Sequence, residues 1–293
     1  MTGNVIRCRD KELAWHNTTI IMGVLNITPD SFSDGGRFLL PEEAKRQAVS
    51  MARDGAKIID IGGESSRPFS EPVPVEEELN RVIPVIKAIR PVLNCLISID
   101  TTKAKVAIKA IEAGADMIND ISGLRMDDRM ASVVRDRRVP IVVMHMQGTP
   151  RDMQKSPFYH DVVGEIDEFF AERISFCMDQ GIPRQNIILD PGIGFGKRFQ
   201  DNLDIINGMS RFTRHGLPVL AGPSRKAFLG KITGKKIPSE RDSATVGAAV
   251  ACALNGASMI RVHNVAATSD ALRVIDALRQ RKNETESGLE KYN

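Results

Sequence analysis

The chain has 293 residues, 42% of them hydrophobic and 26% charged, and its formal net charge is only +3. This length allows one large domain or two small ones. The weak net charge, the lack of a long basic run and an aromatic content of 5% speak against a nucleic-acid-binding surface. No apolar run approaches the about 18 residues of a membrane span, and the first residues form no apolar signal segment. Four scattered cysteines fit reduced thiols, so we expect a cytoplasmic protein without a membrane partner.

Short apolar runs that predict strands alternate with amphipathic stretches that predict helices. Residues 4–16 precede this pattern and predict a strand or hairpin that could plug the core. Several predicted helices end at glycine, which is typical of helix C-termini. The predicted strands are 20–25, 56–61, 95–100, 115–120, 140–145, 186–190, 217–221 and 257–262. The predicted helices are 41–54, 75–90, 103–113, 127–137, 161–180, 200–214, 240–255 and 265–280.

Eight strands that alternate with eight helices predict an α/β fold. The strands are continuously apolar, as a parallel sheet covered on both faces requires. The length fits a TIM (β/α)8 barrel of roughly 250 residues with a short N-terminal extension. A doubly wound open sheet stays an alternative, because alternation alone does not close a barrel. The chain has no low-complexity linker, so we expect one domain over 1–293, with a barrel core at about 18–280 and a flexible tail at 281–293.

Polar residues follow most of the predicted strands, and in a barrel all strand C-termini lie on one face. The strand-end residues are Asn26, Asp60, Asp100, Asn119, Met144 with His145, Asp190, Lys226, and Arg261 with His263. An Asp or Asn at such a position can also cap the next helix, and we favour that interpretation for Asp60 and Asp120. Asp100, Asn119 and Asp190 together could surround a ring that carries donors and acceptors, such as a pterin or a purine-like base.

Two further features concern anion binding and loop geometry. Arg261 and His263 share one face of their strand; arginine suits bidentate phosphate binding, and histidine can add a donor. The run Gly192-x-Gly194-x-Gly196-Lys197 permits close backbone approach to a ligand but lacks the spacing of a P-loop. We expect His145 to be a core histidine. The spacing of His, Cys and Asp predicts no zinc site, and no motif indicates a covalent hydrolase.

Two stretches carry a family resemblance. Residues 25–36, LNITPDSFSDGG, closely resemble the first signature of dihydropteroate synthases, and residues 55–68, GAKIIDIGGESSRP, resemble the second. Shorter matches follow in family order at 98–101, 118–120, 190–197, 224–226 and 261–263, so the likeness covers about 18–280. It implies a pterin-binding TIM barrel, a homodimer, and a step of folate synthesis that sulfonamides target. In that step 6-hydroxymethyl-7,8-dihydropterin diphosphate condenses with 4-aminobenzoate to give 7,8-dihydropteroate and diphosphate.

The resemblance also implies roles for individual residues. Asp100 and Lys226 would be catalytic. The pterin would be bound by Asn119, Asp190, Met144, Phe195 and Gly222. The diphosphate would be bound by Arg261, His263 and, through Mg²⁺, Asn26. The aminobenzoate would be bound by Phe32, Ser66, Arg67, Pro68 and Ser224. Many members of the family have threonine where this chain has Ser66, so the hydroxyl is kept and a methyl group is lost.

The chemistry of the implied substrates suggests a dissociative substitution. Departure of diphosphate leaves positive character on the exocyclic CH₂ of the pterin, and an anionic Asp100 would stabilise it. The weakly nucleophilic aniline nitrogen would attack second. We expect residues 28–36 to form a lid that is mobile without ligand and that brings Phe32 to the second substrate.

Three other functions stay open at this point. A pterin-binding methyltransferase of related barrel fold would share Asp100, Asn119 and Asp190 but would need no diphosphate site. An aldolase-type barrel would use Lys226 as a Schiff-base lysine. A non-catalytic pterin-binding homologue would keep the same residues without turnover.

Overall fold

The computed structural model describes residues 5–8, 11–15, 18–27 and 40–289. The predicted lid, 28–36, and Phe32 therefore lie outside the described residues, and their roles stay predictions. None of the described helices combines the length and the apolar character that a membrane span needs.

A hairpin precedes the barrel. β1 (Val5–Cys8) pairs antiparallel with β2 (Lys11–Ala14). Ile6 and Cys8 are buried among inward-facing apolar side chains of the barrel strands, including Met22. The hairpin therefore closes the barrel at the end where the strands begin, which confirms the predicted N-terminal plug.

Eight parallel strands form the barrel. They are β3 (Ile20–Asn26), β4 (Ile58–Gly62), β5 (Leu96–Asp100), β6 (Met117–Asp120), β7 (Ile141–Met144), β8 (Ile187–Asp190), β9 (Leu220–Ala221) and β10 (Met259–Val262). Their order is β8-β7-β6-β5-β4-β3-β10-β9, and a parallel bridge between Leu189 and Val219 joins the two ends. This closure confirms the TIM barrel and excludes the open doubly wound sheet. β9 is short because Pro218 has no N–H for the ladder, although its carbonyl accepts from Leu189 at 3.0 Å.

Helices surround the barrel at the predicted positions, with three differences. The helices are α1 (Leu40–Arg53), α2 (Val75–Ile89), α3 (Ala104–Ala113), α4 (Met130–Arg137), α5 (Val162–Asp179), α6 (Phe199–Asn207), α7 (Ser210–Thr213), α8 (Ala227–Thr233), α9 (Asp242–Leu254) and α10 (Val265–Leu289). The predicted helix 200–214 is two helices, because α6 ends at Gly208, where a Cβ would lie only 2.9 Å from Val163 on α5. The short α8 was not predicted. The last helix does not end at 280 but continues to Leu289.

The alternation of side chains along each strand creates two kinds of core. On β5, Ile97 and Ile99 face outward into the apolar layer between barrel and helices. Leu96 faces inward and packs with the plug, while Ser98 and Asp100, which share its side of the strand, stand further along toward the carboxyl end. The barrel interior is thus apolar near the plug and polar at the opposite mouth, and this difference positions the site.

The plug should contribute to the stability of the whole barrel. Ile6→Ala leaves a cavity against the inward-facing strand residues, so we expect the free energy of unfolding to fall by about 2–5 kcal/mol. Urea unfolding measures this change, and Arg7→Ala on the exposed face of the same strand is the matched control. Equal stability of the two variants would contradict a plug that packs into the core.

Candidate active site

A buried polar layer crosses the barrel near the carboxyl ends of the strands. Arg261 lies at its centre: its Nε donates to Asp60 Oδ2 at 2.7 Å, and its Nη2 donates to Asp100 Oδ2 at 2.7 Å. Asn119 Nδ2 donates to the same Asp60 oxygen at 3.0 Å. Arg261 therefore links the carboxylates of Asp60 and Asp100, and Asp60 also orients the side-chain amide of Asn119.

The interpretation of Asp60 as a helix cap is wrong. Its side chain is fully buried inside the barrel, and the next helix begins only at Val75. Its inward position follows from strand alternation, because it lies two residues after the inward-facing Ile58. Asp120, which faces the other way, does act as a cap, but of a turn: its carboxylate accepts from the backbone N–H groups of Ser122 and Leu124.

Burial sets the protonation of this layer. It raises the pKa of Asp100 to about 7, a rise that Arg261 opposes and Asp60 supports. It raises the pKa of Asp190 to about 6, although the Gly192 N–H, which donates to this carboxylate at 2.7 Å, favours the charged form. Burial and the charge of Arg261 lower the pKa of Lys226 to about 7. The charge of the layer therefore changes close to neutral pH.

A small cavity lies over this layer. Its lining is Asn119, Ile121, Met144, Asp190, Gly192, Ile193, Phe195, Gly222, Lys226 and Arg261. The structure therefore brings together most of the residues predicted for the pterin, together with Lys226 and Arg261. Asp100, which was also predicted beside the pterin, is bonded to Arg261 and does not line the cavity. Sequence reasoning missed Ile121 and Ile193, because an apolar residue just beyond a strand carries no signal that separates a pocket wall from a core position.

The loop after β8 forms one wall of the cavity. The Lys226 ammonium lies 3.8 Å from the centroid of the Phe195 ring, a cation–π contact. Gly192 has a positive φ of 68°, and a Cβ there would lie 2.0 Å from the carbonyl oxygen of His145. Only glycine allows this close approach of the loop to β7, which explains the run of glycines.

Lys197 holds the same loop from behind, and sequence reasoning missed it. Its ammonium donates to the carbonyl oxygens of His145 at 3.3 Å, Gly192 at 3.1 Å and Phe195 at 2.9 Å, and it lies 3.0 Å from His145 Nδ1. Burial lowers the pKa of Lys197 to about 7 and, together with the Lys197 charge, that of His145 to about 2. His145 is thus a neutral core histidine, as predicted.

Asn26 ends β3 at the mouth of the barrel. Its Oδ1 and Asp100 Oδ2 each lie 3.7 Å from the point where a Cβ of Gly62 would stand, so the missing side chain leaves space between them. In the part of the chain that the structure describes, no three His, Cys, Asp or Glu side chains converge as metal ligands. Asn26 thus offers a single neutral oxygen, which fits a Mg²⁺ ion that takes its other ligands from phosphate and water.

Ser224 and His263 meet on the β9–β10 side of the mouth. The Ser224 hydroxyl lies 2.9 Å from His263 Nδ1 and accepts from the backbone N–H of His263 at 3.2 Å. Burial, followed by the charges of Arg225 and Arg261, lowers the pKa of His263 to about 3. The imidazole is therefore neutral, and a hydroxyl that donates to Nδ1 leaves the Nε2–H as a donor.

The residues predicted for aminobenzoate are not gathered into the cavity. Ser66 is half-buried, and Arg67 and Pro68 are exposed on the loop between β4 and α2. This loop is tied to the β7–α5 loop by the N–H of Phe69, which donates to the Pro150 carbonyl at 3.0 Å. Among the described members of the predicted aminobenzoate set, only Ser224 is bonded to another site residue.

Fold and site together define a (β/α)8-barrel protein whose pocket suits a polar heterocycle. A family model described as pterin binding enzyme matches residues 22–263. The dihydropteroate synthase of Synechocystis sp. is 45% identical over 264 residues, which are 90% of this chain and 91% of the relative. The chain therefore belongs to the family of pterin-binding enzymes.

Solved structures agree in fold. The dihydropteroate synthase of Xanthomonas albilineans with 4-aminobenzoic acid superposes with a TM-score of 0.89 at 43% identity, covering 95% of this chain and 99% of that one. The complex of the same organism's dihydropteroate synthase with 7,8-dihydropteroate has a TM-score of 0.86 at 41% identity, covering 94% and 98%. The fold is thus shared over almost the full length of both chains.

Pterin affinity should depend on pH through Asp190. Its raised pKa keeps the carboxyl protonated at low pH, and only the ionised form accepts two N–H donors from a pterin. We expect affinity to fall as pH drops through about 6, measured by pterin fluorescence titration. Asp190→Asn should bind more weakly and show no such acid limb. A flat profile for the unaltered chain across this range would contradict the assignment.

Proposed function

We propose that the chain is a dihydropteroate synthase of folate biosynthesis. It condenses 6-hydroxymethyl-7,8-dihydropterin diphosphate with 4-aminobenzoate to give 7,8-dihydropteroate and diphosphate. The observation that carries this proposal is the cavity in which Asn119, Asp190, Lys226 and Arg261 converge. It lies in a barrel that closely matches structures with aminobenzoate and with the product.

The pterin pocket supplies complementary hydrogen-bonding groups. The ionised Asp190 carboxylate accepts from the N–H groups on the amidine-like edge of the pterin, and the Asn119 amide offers both a donor and an acceptor. Asn119 Oδ1 is buried and has no partner in the described residues, so it is free to accept from a ligand. Met144 and Phe195 supply the apolar contacts to the ring faces.

The diphosphate would be bound by one neutral donor, one cationic side chain and a metal ion. The Nε2–H of His263 and the guanidinium of Arg261 would face its oxygens, and Asn26 would hold a Mg²⁺ ion beside it. When bound, Mg²⁺ neutralises the charge of the departing diphosphate. Arg261 would bind the diphosphate while it stays bonded to the two carboxylates, because its Nε donates to Asp60 and its Nη2 donates to Asp100.

The reaction replaces one bond by another. The bond between the pterin CH₂ and the diphosphate oxygen breaks, and its electron pair leaves with diphosphate. The lone pair of the aniline nitrogen then forms the new C–N bond, and that nitrogen releases a proton. Between the two events the CH₂ is cationic, and the Asp100 carboxylate stabilises it. Because Asp100 has a pKa near 7 in the free protein, a neighbouring positive charge favours its ionised form.

The second substrate would bind above the pterin. Arg67 would offer its guanidinium to the carboxylate of aminobenzoate, with Ser66, Pro68 and Ser224 beside the ring. Phe32 belongs to the same proposal, although it lies outside the described residues. These loops would complete their pocket only when the substrates are present.

A homodimer and a cytoplasmic location also belong to the proposal. Cys252 and Ala253 on α9 are buried against the barrel, so they do not form an interface. Leu254, Val274 and Leu278 on α9 and α10 are each more than half exposed, at 58%, 60% and 62%. Apolar side chains on two neighbouring helices support a contact with a second copy on this side.

The activity is tested by direct product formation. The protein is mixed with Mg²⁺, the pterin diphosphate and radiolabelled aminobenzoate, and labelled dihydropteroate is separated by chromatography. We expect turnover in the unaltered chain and a loss of at least about 100-fold in kcat for Asp100→Asn, whose fold should stay intact by circular dichroism. Absence of product from the unaltered chain would overturn the function; an active Asp100→Asn would overturn only the role of the carboxylate.

The metal role of Asn26 is tested by binding as well as by rate. Inorganic diphosphate should bind more tightly with Mg²⁺ than without it, measured by calorimetry. Asn26→Ala should reduce this gain by about ten-fold, because the ion loses its protein oxygen, and should raise the Mg²⁺ requirement of the rate. Asn26→Asp keeps an oxygen ligand and should retain the gain. An undiminished gain in Asn26→Ala would contradict the assignment.

A further inference from the structure

Arg225 has an unusual backbone between two site residues. Its φ is +58°, in the left-handed region that arginine rarely adopts. It stands between Ser224, which meets His263, and Lys226, which lines the cavity. A strained residue persists only where its surroundings hold it, so the contacts of Arg225 show what fixes this loop.

Asp242, the first residue of α9, holds the Arg225 side chain. Its Oδ1 accepts from Arg225 Nε at 2.7 Å, and its Oδ2 accepts from Nη2 at 3.0 Å. The backbone of Arg225 is held from the same region: its N–H donates to Thr245 Oγ1 at 3.0 Å, and its carbonyl accepts from Arg241 Nη1 at 3.0 Å. The start of α9 therefore fixes both the side chain and the main chain of this residue.

The same carboxylate reaches the end of the neighbouring strand. Asn264 Nδ2 donates to Asp242 Oδ2 at 3.0 Å, and Asn264 directly follows His263. Asn264 also accepts from the N–H of Ala267 at 3.2 Å, which caps the first turn of α10. Asp242 is thus bonded to two loops, one after β9 and one after β10, and each loop carries site residues.

We propose that Asp242 is a positioning residue for the reaction. Through Arg225 and Asn264 it fixes the separation of Ser224 from His263 and the direction from which Lys226 enters the cavity. Asp242 does not line the cavity, so it acts only through these partners. This inference rests on the proposed dihydropteroate synthase function, and it adds a residue that neither the sequence motifs nor the pocket includes.

A purely stabilising role is the competing explanation, because an acidic residue in the first turn of a helix is favourable by itself. Asp116 provides a matched control for it. Its Oδ2 accepts from Arg90 Nη1 at 2.8 Å, but it lies at the start of β6, at the opposite end of the barrel from the site. Replacing either aspartate breaks an aspartate–arginine pair, and only one of the two pairs adjoins the site.

The test compares Asp242→Ala, Asp242→Glu and Asp116→Ala. We expect Asp242→Ala to lower kcat by at least about ten-fold, with smaller changes in both KM values, because a small displacement of site residues costs rate. Asp242→Glu keeps a carboxylate and should restore part of the rate. Asp116→Ala should lose stability and keep its kcat. An Asp242→Ala variant that loses stability but keeps kcat would overturn the proposal.

A second measurement does not depend on catalysis. Hydrogen exchange followed by mass spectrometry should show faster exchange over 222–227 and 263–267 in Asp242→Ala but not in Asp116→Ala. If Asp242→Ala fails to fold, Asp242→Asn keeps the shape, loses the charge and takes its place in both measurements. An inactive unaltered chain would overturn the proposed function, whereas unchanged exchange would overturn the positioning role alone.

Discussion

The pairing of Arg261 with two carboxylates inside the barrel is the interaction on which the site depends. Asp60 and Asp100 would repel each other in a medium of low dielectric constant if no cation stood between them. The guanidinium bonds to both carboxylates at 2.7 Å. Asn119 is oriented by the same Asp60 oxygen. One buried cation thus allows the barrel to keep acidic groups close together, and those groups give the pocket its chemistry.

The barrel and most of the pterin pocket could be predicted from the sequence because both follow from periodicity. Apolar runs of strand length, separated by amphipathic stretches, predicted eight βα units, and the predicted carboxyl ends of the strands fell within one residue of the observed ones. Since all strand ends meet on one face, Asn119 and Asp190 were correctly expected to lie together. The family resemblance then supplied Phe195 and Gly222, which no periodic pattern identifies.

What the sequence did not provide were contacts that depend on side-chain direction or on irregular backbone. An Asp at a strand end has the same sequence neighbours whether its side chain caps a helix or points into the barrel. Only the strand register shows that Asp60 points inward and Asp120 points outward. The buried ammonium of Lys197 donates to three carbonyl oxygens that the glycine-containing loop brings together. Because lysine is rarely buried without a carboxylate partner, the sequence offered no reason to expect this position. The division of one predicted helix at Gly208 depends on a close approach to Val163.

The hairpin formed by β1 and β2 determines by which end of the barrel ligands enter and leave the site. Because β1 and β2 fill one end of the barrel, whatever enters the polar pocket must come and go through the other end. In the proposed reaction, a ring bound over Arg261 would lie below a molecule held by the Ser66–Pro68 loop, so the pterin substrate would have to bind before aminobenzoate covers it. The product would then leave through the same opening. A barrel with one open end would thus impose an order of binding on the two proposed substrates.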